Sequence, residues 1–353
     1  MDALNTLLYQ ITAAIMSIVM SLGLIVIPGT DEVITQIDPD AELCFVFGGD
    51  SQVSNYAVSR EKAFISFCQD LDNAETDLDA LVIAGDIAEN GLQVEYDRTA
   101  EDLSGIDFGE FIVSIGNHDI RLRDYEQSKQ RFLNFRNRLN DENHQTDSIW
   151  YKTEINGYKF LVMGSDKAEL EEASFSYEQL AWLNRELKAS NGEPVFVILH
   201  QSLRDTHGLP ETWGSAIDSA GSVGKQSDNI MEILDQYNNV FLLTGHLHTA
   251  FGQYSYFNFE GYEYDGKVCE NNTIHGINAP SIGISSKDGR SDDLNKAGTG
   301  YYVEVSDDSI TFYARDFENG KYVPSENITF EKDADGNFIN PEANSGKWTY
   351  VVK

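Results

Sequence analysis

Asp50, Asp86, Asn117, His118, Asp119, His200, His246 and His248 are the residues whose types and spacing could do chemistry. They fall in short motifs: FGGDSQ, AGDIAENG, IGNHD, VILHQ and TGHLH. Carboxylate, amide and imidazole side chains are ligands for divalent cations. Drawn together, two Asp, one Asn and three His would hold two cations, a site suited to hydrolysis.

Such residues converge only if the fold brings them together. Each motif follows an apolar run: LCFVF (43–47), LDALVIA (78–84), FIVSI (111–115), VFVIL (195–199) and VFLLT (240–244). Runs of this length and β-branched content predict buried strands. In open α/β sheets, ligands bind just beyond the carboxyl ends of strands. Helical patterns lie between the strands. Residues 54–70 put Ala57, Phe64, Ile65 and Cys68 on one face, and residues 124–139 space Phe132, Phe135 and Leu139 helically. Residues 177–189 align Leu180, Leu183 and Leu187, and residues 228–237 open on Asp228 as a cap. Residues 150–165 predict a hairpin turning at Asn156-Gly157, and 300–317 another turning at Asp307-Asp308. Alternating strands and helices predict an α/β fold.

The order of the motifs resembles the calcineurin-like metallophosphoesterase superfamily, over roughly residues 43 to 315. The family pattern is Asp-x-His, Gly-Asp, Gly-Asn-His-Asp/Glu, a lone His and Gly-His-x-His. The resemblance implies two packed mixed β-sheets flanked by helices, a four-layer sandwich, with a catalytic domain at 42–317. It also implies two metal ions, drawn from Mn, Fe or Zn. Asp86 would bridge them; Asp50 and His248 would complete one site, and Asn117, His200 and His246 the other. A neutral Asn ligates without over-neutralising the metals.

Gln52 departs from the pattern, which has His there. Alternation along an extended strand end points residues 50 and 52 the same way. Gln52 is therefore expected as a weaker, harder ligand that favours Mn or Fe over Zn. The resemblance gives His118 the task of stabilising the transition state or protonating the leaving oxygen. Asp119 would orient that imidazole, and a metal-bridging hydroxide would be the nucleophile. Arg121, Arg123, Arg204 and His207 are candidate contacts for substrate phosphate. His144 and His275 have no motif around them and are expected at the surface or in the core. Trp213 and the Gly-rich 214–224 stretch could form a loop over the cleft. The function implied is metal-dependent hydrolysis of a phosphomonoester or phosphodiester, of a nucleotide or lipid-linked compound. The alternative is a catalytically degenerate scaffold that uses the fold to bind protein, for which Gln52 is the sole support.

The chain has 353 residues, enough for one large domain with additions. Lys and Arg total 25 against 58 Asp and Glu, a net charge of −33. Such a charge disfavours nucleic acid as a partner and leaves a nuclease as the weaker alternative among enzymes, since phosphate backbones need a basic footprint. Any phosphate substrate must be drawn in by the metals rather than by a global field. Cys44, Cys68 and Cys269 have no paired spacing, so neither a disulfide framework nor a zinc-thiolate site is expected.

Residues 1–30 form an apolar segment. Leu4, Leu8, Ile11, Ile15, Ile18, Leu22 and Ile25 make a helical stripe, and the first basic side chain in the chain is Arg60. The stretch is long enough to span a bilayer. A spanning or anchoring helix, a helix on the membrane surface or self-associating, and a helix packed on its own domain all fit. Membrane contact through residues 3–27 is the favoured expectation, on an undetermined side, with a soluble cytoplasmic protein as the alternative. Residues 31–41 read as an acidic linker and 318–353 as a polar extension with short strands.

Overall fold

Along each central strand the side chains alternate between two buried faces, and that alternation sets the layers. The computed structural model describes residues 32–121, 124–207, 221–248, 251–252, 255–284, 297–324 and 346–352. In chain order, β1 (Leu43–Gly48), α1 (Val58–Asp72), β2 (Ala80–Ile83), α2 (Gln93–Asp102), β3 (Glu110–Val113), α3 (Asn117–Ile120) and α4 (Tyr125–Arg138) come first. Next are β4 (Tyr151–Ile155), β5 (Tyr158–Val162), α5 (Tyr177–Lys188), β6 (Val195–Ile198), α6 (Ser227–Leu234) and β7 (Val240–Thr244). Then come β8 (Tyr256–Asn258), β9 (Glu263–Tyr264), β10 (Lys267–Val268) and β11 (Ile274–Asn278). The last strands are β12 (Thr299–Val305), β13 (Ser309–Asp316), β14 (Lys321–Tyr322) and β15 (Lys347–Val351).

Two mixed sheets result. One is seven-stranded, ordered β14-β13-β12-β1-β2-β3 with β15 also on β13; the other is six-stranded, ordered β4-β5-β6-β7-β11-β8. Phe45, Phe47, Val82 and Ile112 of the first sheet meet Phe160, Phe196, Ile198, Phe241 and Leu243 of the second in one core between the sheets. Residues one position along face outward. Val46, Leu81 and Phe111 pack against α1, α2 and α4 through Phe64, Tyr96 and Phe132. Val195, Val197 and Leu242 pack with Leu183 of α5 and Ile230 of α6. Burying one such side chain contributes roughly 1.5–3 kcal/mol, so strand register is set from both sides. The layers are helix, sheet, sheet, helix, as the family resemblance implies.

Local signals act at several element ends. Asp124 caps α4 by accepting from Gln127 N, and Ser176 caps α5 by accepting from Gln179 N. The β4–β5 hairpin turns at Asn156 and Gly157, with φ of 52° and 89°. That pair of left-handed residues is the turn that matches strand twist. The expected cap at Asp228 is corrected. α6 begins at Ser227, and Asp228 lies in its first turn without a cap bond. Its carboxylate instead binds Arg204 at 2.9 Å.

The acidic stretch before β1 lies against the first sheet: Ile34 is fully buried, and Glu304 accepts from Ile37 N and Asp38 N. At the other end of the chain, β15 pairs with β13 and drives Trp348 and Tyr350 into the core between the sheets. All three cysteines are free and buried. The apolar segment at residues 1–30, with the membrane contact expected of residues 3–27, lies outside the described residues. Among the described residues no helix is long and apolar enough to cross a membrane.

Candidate active site

β1, β2 and β3 run parallel in one sheet, and β6 and β7 run parallel in the other. Backbone hydrogen bonds knit the loops beyond their ends together. Asp50 N donates to Gly85 O at 3.1 Å and Gly245 N to His200 O at 2.9 Å. Ile282 N, in the chain leaving β11, donates to Gly49 O at 2.9 Å and so joins the two sheets.

The backbone bends sharply at the candidate ligands. Asp50, Gln52, Asp86, His246 and His248 take φ of 53°, 39°, 53°, 72° and 48°. Left-handed conformation in such residues costs on the order of 1–2 kcal/mol each and persists where the surroundings over-determine it. The motif glycines answer a different need, close approach. A Cβ on Gly116 would lie 2.1 Å from Asp86 Oδ1, and one on Gly85 would lie 2.6 Å from His200 Nδ1. On Gly245 it would lie 2.7 Å from Asp50 Oδ2. Each glycine therefore makes room for a ligand from another motif.

Two groups of ligand atoms result. Those of Asp86, His200 and His246 lie within 4.8 Å of one another, and so do those of Asp50, Asp86 and His248. Asp86 belongs to both. Its Oδ1 accepts from His118 N at 2.9 Å, and its Oδ2 accepts from Gln52 Nε2 at 3.0 Å. His200 Nδ1 donates to Ala84 O at 2.6 Å, which leaves Nε2 facing the cluster, 3.2 Å from Asp86 Oδ2. Asn117 Oδ1 sits 3.0 Å from that Nε2, while Asn117 Nδ2 donates to Leu170 O and Glu171 Oε2. Asp50 accepts from His246 N at 2.8 Å and lies 3.1 Å from His248 Nε2.

Charge makes the same argument. Asp50 and Asp86 are fully buried. Burial works against the charge on Asp86, but His200 and His118 outweigh it and hold its carboxyl well below the usual carboxylate range. Burial works against a charged His200, yet Asp86 lifts it to about 9. Burial and the charge on His200 push His246 well below the usual histidine range. A proton on His200 thus offsets a negative charge that a metal cation would offset better. Gln52 is fully buried, and its Oε1 has no hydrogen-bond partner. A buried carbonyl oxygen left unmatched beside two carboxylates fits a cation ligand. The donor set, carboxylate, amide oxygen and imidazole, suits Mn, Fe or Zn.

His118 stands at the edge of this cluster, with Nε2 3.9 Å from Asp86 Oδ2 and Nδ1 2.9 Å from Glu89 O. The expectation that Asp119 orients it is corrected. Asp119 is fully buried and accepts from Gly116 N at 2.9 Å, Ala88 N at 3.1 Å and Tyr96 Oη at 2.9 Å. Its carboxylate is taken up in tying the Asp86 loop to the Asn117 turn, and the backbone carbonyl of Glu89 faces the imidazole instead. Burial, then the neighbouring Asp86 charge, push Asp119 up to about 7.

Of the candidate phosphate contacts, Arg121 is at the site, with Nη2 3.1 Å from His118 Nδ1. Arg204 is held by Asp228 and by Asp205 at 3.5 Å. His207 is buried against the Phe257 ring. His144 pairs with Asp141 on the surface, and His275 packs among Phe241, Tyr256 and Tyr350. Arg123, Trp213 and residues 214–220 lie outside the described residues. Two residues at the site were not among the sequence candidates: Glu171, from the loop before α5, and Glu89, whose Oε2 is 3.4 Å from His118 Nδ1. Glu171 has no motif around it. Glu89 lies inside the AGDIAENG motif, three positions after Asp86, the one hint available.

With this geometry in hand, the chain can be set beside known proteins. A family profile described as calcineurin-like phosphoesterase matches residues 46–250. A protein of Nostoc sp. named 3′,5′-cyclic-nucleotide phosphodiesterase is 24% identical over 196 residues. That match covers 55% of this chain and 65% of the relative. The purple acid phosphatase PPD1 of yellow lupin superposes with a TM-score of 0.56 at 13% identity, over 88% of this chain and 53% of its own. At that identity the likeness is one of fold.

Proposed function

Because this chain belongs to the calcineurin-like phosphoesterase family, we propose that it is a metal-dependent hydrolase of phosphodiesters. One observation carries the proposal: two groups of potential ligand atoms, all buried but for the half-buried His248, that share Asp86. Asp50, Gln52, Asp86 and His248 would hold one cation, and Asp86, Asn117, His200 and His246 the other. Two divalent cations bound there supply Lewis acidity and make water acidic enough to attack near neutral pH.

The chain's own residues do the rest. His200 keeps Nε2 toward the cluster because its Nδ1–H donates to Ala84 O. Asn117 keeps its oxygen toward the cluster because its amide nitrogen is held from behind. His118 donates from Nδ1 to Glu89 O, so in its imidazolium form it would give its Nε2 proton to the departing oxygen and become the neutral ring. Arg121, beside His118, can meet a nonbridging phosphate oxygen. The Nostoc relative's name supports a diester, and a cyclic nucleotide is the first candidate. The chain spans 65% of that relative, so the substrate is inferred from the site and the name together.

The test is turnover of bis-p-nitrophenyl phosphate and of 3′,5′-cyclic AMP by the full chain, with Mn added and after chelation. Diester turnover that chelation abolishes and Mn restores is the expected result. Absence of turnover on both substrates with the metals bound would overturn the proposal.

A further inference from the structure

Glu171 stands where a second negative charge on a substrate would be hardest to accept. Its Oε2 accepts from Asn117 Nδ2 at 3.0 Å and lies 3.9 Å from His246 Nε2. Its Oε1 lies 3.1 Å from Arg121 Nη1. Arg121 in turn reaches His118. At the same ring nitrogen, Nδ1, Glu89 Oε2 lies 3.4 Å away and is paired with Arg60. The guanidinium groups of Arg121 and Arg60 are therefore each matched by a carboxylate before any substrate arrives.

This arrangement bears on substrate charge. A phosphodiester carries one negative charge, whereas a phosphomonoester carries about −1.5 to −2 at pH 7. Sites for such dianions commonly offer guanidinium groups free to bind them in pairs. Here Arg121 is shared with Glu171, which also reaches the amide of one ligand and approaches the imidazole of another. Like charges brought together at a desolvated site cost several kcal/mol when unscreened, and less at this partly exposed rim.

Resting on the phosphoesterase reading above, we propose that Glu171 is a charge filter that makes the site prefer monoanionic diesters over dianionic monoesters. Glu89, beside His118 Nδ1, adds to the same field. Neither residue takes part in bond making.

The experiment compares wild type, Glu171→Gln and Glu171→Asp as full chains loaded with Mn. It measures kcat/KM for p-nitrophenyl phosphate and bis-p-nitrophenyl phosphate, metal content, and calorimetric binding of inorganic phosphate at pH 8. Glu171→Gln should raise the monoester-to-diester ratio about tenfold, equivalent to about 1.4 kcal/mol. It should tighten phosphate binding by a similar factor, while Glu171→Asp, which keeps the charge, should keep the monoester-to-diester ratio and the phosphate affinity near wild type. An unchanged ratio and unchanged phosphate affinity at full metal content would overturn the proposal. So would loss of metal in Glu171→Gln, which would make Glu171 a ligand. Wild type inactive on both esters would sink the phosphoesterase reading itself, and the phosphate titration would still decide the role of Glu171.

Discussion

One methyl group at Gly116 should disarm the site while leaving the sheets intact. Gly116 has φ of −101° and ψ of 174°, which any residue adopts without strain. Only space forbids a side chain there. The Cβ of Gly116→Ala would fall 2.1 Å from Asp86 Oδ1 and 2.3 Å from Asp86 N, against the 3.0 Å that real Cβ contacts respect. The Asp86 carboxylate must therefore move by about 1 Å, and its hydrogen bond from His118 N must stretch with it. Overpacking of this kind costs about 1–3 kcal/mol of stability. A displacement of about 1 Å in a catalytic constellation costs on the order of 100-fold in rate. The assay is kcat/KM on bis-p-nitrophenyl phosphate, with metal content and urea unfolding measured alongside. Gly157→Ala is the control: its built Cβ meets nothing within 4 Å, but φ is 89°. It should lose about 1 kcal/mol of stability and no activity. Gly116→Ala within threefold of wild type, with both metals bound, would refute the close-approach argument.

Other expectations follow from the same geometry. Arg315 is fully buried, binds Asp70 at 2.6 and 2.8 Å and lies over the Tyr322 ring. Arg315→Met should destabilise the fold by about 3–5 kcal/mol in urea titrations, and adding Asp70→Leu should recover most of that loss. Burial, opposed by Arg98 and aided by Glu61, lifts Asp102 from 3.8 to about 6. A carboxyl raised by folding favours its protonated form in the native state, so its contribution is lost as pH rises from about 4 through 6. Asp102→Asn should therefore gain on wild type by at most about 3 kcal/mol between pH 4 and pH 8, read from paired melts. No gain across that window would contradict the burial argument. His118→Ala should keep both metals and lose about 100- to 10,000-fold in turnover. Asp119→Ala should lose metal affinity as well, because it releases Gly116, Ala88 and Tyr96 together. Equal metal content in the two variants would restore Asp119 to a role confined to His118.

Strands buried on both faces announce themselves, so β1, β2, β3, β6 and β7 were legible as continuous apolar runs. The candidate ligands were legible because each follows such a run directly. α2 was not: Gln93–Asp102 buries Glu95, Tyr96, Thr99 and Ala100, which make no apolar stripe. Its start is held by Glu95, which accepts from Leu92 N at 3.1 Å and Asn90 N at 2.9 Å, and its packing against α4 is tertiary. β11 was missed for a similar reason. IHGIN carries Gly, His and Asn, and only pairing with β7 and β8 makes it a strand. At the site, the partners of Asp119 and Arg204 depended on which loops meet in space. Spacing along the chain could not show that Tyr96 would reach Asp119, nor that Asp228 would claim Arg204. Glu171 enters from a loop far from the Asn117 and His246 motifs, with no local pattern to mark it.

The central claim is that Asp86 joins two cation sites. The direct measurement is metal stoichiometry by plasma mass spectrometry after Mn loading and desalting, for wild type, Asp50→Ala and Asp86→Ala. The account predicts about two ions per chain in wild type, about one in Asp50→Ala and almost none in Asp86→Ala. Two ions retained in Asp86→Ala would contradict it.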